Sequence, residues 1–237
     1  LPNTEVLFRS DDFSQLAIQG PRALEILKPL TEINLSGMRY YWFGEGKFAG
    51  VDAIVSRTGY TGEDGFEVYC APSNAEAVWS RIMDSGKPFG LEPAGLAARN
   101  TLRLEAAMML YGNDIDETTT VLEAGLGWIC KLNKGDFLGR DVLLRQRESG
   151  LKRKMVGFEM TDRGIARDHY PVWLNGSEIS KVTSGSPAPS LKKNIGLTYL
   201  PAECAAIGTE FNVLIREKPV KARIVPTPFY GSSKPIS

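Results

Sequence analysis

An α+β fold is what this sequence predicts, with an antiparallel-sheet α/β region followed by a C-terminal all-β barrel or jelly-roll-like lobe. Three observations carry the prediction. Strand-like and helix-like patterns alternate over the first 150 residues without the long spacing of parallel crossovers. From about residue 155 onward the pattern is almost entirely short β-branched runs separated by turn residues. Between the two lies a basic stretch, Lys152-Arg153-Lys154, after a charged helix-like segment. This places a boundary near residue 150, giving regions 1–150 and 151–237, the first divisible into subdomains 11–92 and 93–150.

In chain order, Gln19-Gly20-Pro21 opens a helix, because proline suits a first helical turn and Ala23, Leu24, Ile26 and Leu27 supply an apolar face. Tyr40-Tyr41-Trp42-Phe43 reads as an aromatic strand, a core or subdomain contact. Residues 51–55 form a strand rich in β-branched side chains. In 66–70, Phe66, Val68 and Cys70 take one face of a strand, Glu67 and Tyr69 the other. Glycines 59, 62 and 65 lie between these strands, where positive φ or close backbone approach is expected. Glu67 is thus a carboxylate on a rigid strand beside a glycine-rich loop, able to offer two coplanar acceptors to paired N–H donors. The same pattern also fits a solvated outward-facing residue next to an ordinary hairpin.

Ser73 and Asn74 are cap candidates for a helix running to about Met83. A second helix is expected over 93–109, placing Arg99 and Arg103 four residues apart on one face. Two like charges there are either solvated, paired with Glu105 or Glu92, or held by an anion. The acidic run 113–117 lacks the glycine and terminal glutamate of a calcium loop and reads as a turn with helix-cap character. Trp128 fits core filling or the wall of a flat-ring site. Residues 140–148 form a charged helix. The strands expected beyond it are 155–160, 171–174, 178–183, 195–200, 210–216 and 220–225, with hairpin turns at Asn175-Gly176 and Lys218-Pro219.

Composition excludes several classes. Lysine plus arginine equals aspartate plus glutamate at 28 each, so no global basic field draws in nucleic acid or a membrane surface. No apolar run approaches the ~20 residues of a membrane helix. Cys70, Cys130 and Cys204 are odd in number and widely spaced, and His169 is the one histidine. That suits idle thiols in a reducing compartment better than a disulfide framework or a metal site.

Arg57-Thr58-Gly59-Tyr60-Thr61-Gly62-Glu63-Asp64-Gly65-Phe66-Glu67 resembles a signature of the glycine cleavage system T-proteins, the tetrahydrofolate-dependent aminomethyltransferases. Leu16-Ala17-Ile18-Gln19-Gly20-Pro21, 95–106, 110–115, 123–128, 136–140 and 182–185 are similar to further family motifs in the same order. The resemblance runs from about Gln15 to Tyr230. It implies transfer of an aminomethyl-derived one-carbon unit from the lipoyl arm of an H-protein to tetrahydrofolate, with release of ammonia and formation of 5,10-methylenetetrahydrofolate. It implies Glu67 and Arg99 as folate contacts and Tyr60 and Trp128 as walls of the ring slot, with no catalytic residue assignable. It implies a bacterial cytoplasmic or mitochondrial matrix setting. Family members also carry a long upstream segment with a catalytic aspartate that has no counterpart in these 237 residues. On that reading, this stretch by itself is expected to be inactive. A non-transferase folate-binding module, akin to tRNA-modification factors or to folate domains of sarcosine and dimethylglycine dehydrogenases, is the other class the resemblance admits.

Overall fold

The computed structural model describes residues 4–231. It separates into two units, residues 4–96 and Ala97–Gly231.

The first unit is built on a four-stranded antiparallel sheet of β1 (Ser14–Gln19), β2 (Phe43–Phe48), β3 (Val51–Ser56) and β4 (Gly65–Cys70), in the order β1-β4-β3-β2. The register pairs Leu16 with Val68 and Ile18 with Phe66, and β3 pairs Val55 with Val68. Because side chains alternate along a strand, this one register sends Ile18, Val55, Phe66 and Val68 to the same face. There they are buried with Ile26 and Leu27 of α1 (Ala23–Leu27) and Val78 and Ile82 of α2 (Ala75–Gly86). The opposite face carries Gln15, Glu67, Tyr69 and Ile54, all partly accessible. The short helix after Gln-Gly-Pro and the alternation through β4 both match the sequence reading.

The aromatic strand does not. Tyr40 and Tyr41 lie in a turn, β2 begins only at Phe43, and Tyr41, Trp42 and Phe43 are exposed rather than core. Tyr41 adopts a left-handed φ of 67°, which ends any extended run. β-Propensity marks aromatics but carries no information on which side of a sheet they fall.

In the second unit, α3 (Leu96–Glu105) is shorter than the predicted 93–109. Ala107 takes a left-handed φ of 53°, and the Met108 N–H donates back to the Arg103 carbonyl at 2.8 Å, closing a Schellman-type cap. α4 spans Arg140–Ser149. β5 (Arg153–Met160), β6 (Pro171–Leu174), β7 (Ser177–Ala188), β8 (Lys193–Pro201), β9 (Glu210–Ile215) and β10 (Lys218–Val225) close into a barrel in the order β10-β5-β8-β7-β6-β9. Every barrel strand expected from sequence is present. Asn175 and Gly176 both have positive φ, as a two-residue hairpin requires. The β9–β10 turn falls on Arg216-Glu217 instead of Lys218-Pro219, which are already strand residues paired with Ile215 and Leu214. The barrel core is Phe158, Val172, Val182, Leu200, Phe211, Val213 and Ile224, with the Phe158 and Phe211 rings edge-on at 5.3 Å.

A buried polar network ties the acidic loop to the barrel. Arg103 is 1 % exposed and donates to Asp114 at 2.6 Å, to Asn100 at 2.7 and 2.9 Å, and to the Ser184 hydroxyl of β7 at 2.8 Å. Asp114 also accepts from the Leu110 N–H, and its carbonyl accepts from the Tyr199 hydroxyl. The acid facing Arg103 is therefore Asp114, from the run read as a turn. Glu105, one of the partners weighed from sequence, is buried and accepts from the Ser190 N–H.

Candidate functional site

The loop between β3 and β4 owes its shape to three residues. Arg57 grips Asp64 with two hydrogen bonds, 3.0 and 2.7 Å, and donates a third to the Met38 carbonyl at 2.8 Å. Its guanidinium also lies 5.5 Å from the Phe66 ring centre. This fork-to-fork contact pins together two residues seven positions apart. The hydrogen bond that Arg57 donates to Asp64 is the main reason its pKa is raised, so the guanidinium stays charged. The third residue is Gln19, at the end of β1. Its amide donates to the carbonyls of Thr58 (3.1 Å) and Phe66 (3.4 Å) and accepts from the Thr61 hydroxyl (3.1 Å).

Gln19 also explains two of the three glycines. A Cβ on Gly59 would lie 1.8 Å from the Gln19 Oε1, and one on Gly65 would lie 2.6 Å from its amide. Only Gly62 has a positive φ, 83°. Close approach to one glutamine, rather than left-handed backbone, selects glycine at 59 and 65.

Glu67 sits half-buried on the face of β4 away from the helices. One carboxylate oxygen accepts from the exposed Gln15 amide at 2.6 Å. The other accepts from the Thr58 hydroxyl and, at 3.3 Å, from the Tyr69 hydroxyl. Thr58 is in turn 2.6 Å from the Ser56 hydroxyl, so the Ser56–Thr58 pair feeds a donor toward the carboxylate. Every partner is a donor, which holds Glu67 as a charged acceptor in a fixed plane. Burial, reinforced by the charge of Glu67, raises the phenol pKa of Tyr69. Tyr40 is raised chiefly by burial as well, with Glu67 and Asp64 adding to the effect. Both phenols therefore stay protonated at neutral pH. The arrangement is an oriented anion bordered by hydroxyl donors, suited to a neutral or cationic group that presents two N–H bonds side by side.

Tyr60 is half-buried in the same loop. Arg99 is exposed on α3, and Trp128 is 65 % exposed in the turns before α4. Glu67 and Tyr60 thus belong to the first unit, Arg99 and Trp128 to the second. Sequence reasoning missed Gln15, Gln19, Thr58 and the Arg57–Asp64 clamp as parts of this site. The opposite charges of Arg57 and Asp64 across a glycine-rich gap were a usable signal. The reach of Gln19 over some forty positions had none. Among the described residues no group of three or more histidine, cysteine, aspartate or glutamate side chains is placed to hold a metal ion, and no helix is long and apolar enough to cross a membrane.

Comparison with known proteins gives concordant matches. Residues 1–134 match the GCVT N-terminal domain family model, and residues 153–231 match the glycine cleavage T-protein C-terminal barrel domain. The chain is 53 % identical over 222 residues to an aminomethyltransferase of Desulfitobacterium hafniense, covering 94 % of this chain and 61 % of that protein. It is 52 % identical to an aminomethyltransferase of Caldanaerobacter subterraneus, covering 93 % and 59 %. The crystal structure of glycine cleavage system aminomethyltransferase T from Bartonella henselae superposes with a TM-score of 0.85 at 31 % identity, over 92 % of this chain and 60 % of that one. The chain thus spans about three fifths of the length of the relatives it matches.

Proposed function

The chain belongs to the glycine cleavage T-protein family, and from that premise we propose that it is the folate-binding and barrel portion of a tetrahydrofolate-dependent aminomethyltransferase. Its role is to receive the aminomethyl group carried on the lipoyl arm of an H-protein, let ammonia depart, and pass the carbon to tetrahydrofolate as 5,10-methylenetetrahydrofolate. The folate nitrogens are the nucleophiles and the arm carries the electrophilic carbon. The protein's task is to position, to exclude water and to hold protons in place.

The observation that carries the reading is the fixed carboxylate of Glu67. A pterin edge presents a ring N–H and an amino group in one plane, and a carboxylate is the complementary two-point acceptor. The Thr58 hydroxyl holds one oxygen of Glu67 in place. The exposed Gln15 amide on the other oxygen is the partner a ligand displaces. In this proposal Tyr60, in the same loop, is an apolar wall for the ring.

The test is calorimetric titration of a stable tetrahydrofolate derivative into a polypeptide of the relatives' full length carrying this sequence. Glu67→Gln keeps the shape of the side chain and removes its charge. Affinity is expected to fall at least tenfold, and by up to ~2–4 kcal/mol if both ligand N–H groups lose their acceptor. Unchanged affinity takes Glu67 out of the site. The 237 residues expressed alone are expected to release little ammonia from aminomethyl-loaded H-protein. Turnover equal to that of the full-length polypeptide refutes that expectation.

A further inference from the structure

The second unit contains a cavity of about 570 Å³, well apart in sequence from the Glu67 loop. One wall is a face of α4, where Arg140, Leu144 and Arg147 follow each other at helical spacing. The facing wall includes Leu122, Cys130 and Lys131. Three cations line this space, and no acidic side chain among the described residues does.

Lys131 and Arg147 are not neutralised by an acid among the described residues, while Arg140 is partly so. Lys131 donates to the Trp128 carbonyl at 2.9 Å, and Arg140 donates through Nε to the Leu132 carbonyl at 2.7 Å. Those acceptors are neutral. The acids nearest Arg140 are Asp136 and Asp141, at 3.6 and 4.0 Å, and both point into solvent. Arg147 makes no ion pair among the described residues. A concave space with one sign of charge concentrates its field inward and raises the local concentration of counter-ions. Leucines 122 and 144 add an apolar lining, and the volume falls in the range of small-molecule sites.

We propose that this cavity binds a compact organic anion, one bearing carboxylate or phosphate oxygens on a short apolar body. Arg147 and Lys131 meet the oxygens, Arg140 supplies a fixed fork, and Leu122 and Leu144 cover the carbon skeleton. None of the lining residues is one assigned to the folate, although the Trp128 backbone carbonyl is what holds Lys131.

Cys130 lines the cavity and serves as an internal reporter. Cys204, of similar half-burial but outside the cavity, is the reference, and Cys70 is buried. The intact chain is alkylated in parallel with iodoacetate, which is anionic, and iodoacetamide, which is neutral, and each cysteine is quantified by peptide mass spectrometry. The ratio of the two rates cancels the thiolate fraction at each site. At low salt the iodoacetate preference at Cys130 is expected to exceed that at Cys204 by about tenfold, and to shrink as salt screens the field.

Citrate and inorganic phosphate then test occupancy. Protection of Cys130 by citrate alone identifies a carboxylate site, and protection by phosphate alone a phosphate site. In Lys131→Gln/Arg147→Gln both the charge preference and the protection are lost, with the circular dichroism spectrum unchanged. The proposal is overturned if Cys130 and Cys204 show the same preference, if neither anion protects at roughly 10 mM, or if the folded double variant protects as the parent does.

Discussion

Asp114→Asn tests the deepest electrostatic feature of the second unit. The substitution keeps the shape of the side chain and removes its charge. In the folded protein this strands the Arg103 guanidinium, which is 1 % exposed and whose other partners, Asn100, Ser184 and the Met108 carbonyl, are all neutral. Two unit charges about 4 Å apart attract by about 4 kcal/mol at an effective dielectric of about 20. That agrees with the ~3–5 kcal/mol lost when one partner of a buried pair is removed. Set against a whole-domain stability of about 5–15 kcal/mol, the variant is expected to lose a large fraction of its margin. Urea unfolding followed by tryptophan fluorescence gives the number. A loss below about 1 kcal/mol refutes the argument, because it would mean the buried arginine does not depend on its acid. Replacing both partners, Arg103→Met with Asp114→Leu, is expected to recover most of the loss, since neither charge of the pair then remains.

Gly59→Ala is expected to expel the Gln19 side chain and cost about 1–3 kcal/mol through the bonds it leaves unmade. Adding Gln19→Ala relieves the clash, so the two changes together cost less than their sum, and strict additivity in urea unfolding counts against the account. Ala107→Gly puts glycine at the left-handed helix cap and is expected to stabilise the chain by about 0.5–1 kcal/mol; a lower thermal midpoint rejects it. Glu159 is held below the usual carboxylate range first by its hydrogen bond from Lys193, with Arg223 assisting against the opposing effect of burial. Its folded pKa is depressed, so its contribution is present above the unfolded value near pH 4.3 and fades as pH falls through the folded one. Glu159→Gln is therefore expected to cost about 1 kcal/mol at pH 7 and less at about pH 3, read from unfolding curves at both. An equal cost at both values contradicts the ion-pair explanation.

Local chemistry was readable wherever it acted locally. Asn175-Gly176 announces a hairpin because few other pairs tolerate two positive φ values. The alternation through Phe66-Glu67-Val68 fixes which side chain faces the core, and that placed Glu67 on the accessible side before any coordinates. What escaped depended on distance along the chain. Arg216-Glu217 turns the β9–β10 hairpin without any turn-favouring residue, because the pairing of β9 with β10 imposes the bend. Arg103 finds Asp114 and Ser184 through the packing of α3, a loop and the barrel, and no spacing rule links three such positions. The glycines around Glu67 were read as backbone freedom, whereas two of the three make room for a glutamine from another strand.

The two sheets differ in how they finish. Each of the six barrel strands has a partner on both sides, while the four-stranded sheet ends at β1 and β2 with one row of amide groups apiece unclaimed by the sheet. Exchange of strands between chains, or growth into fibrils, therefore has its starting points at 14–19 and 43–48. β2 is the better guarded of the two, since Thr31 bridges Phe48 on its outer side and donates to the Lys47 carbonyl. A charged residue at the exposed position 17 would guard the β1 border.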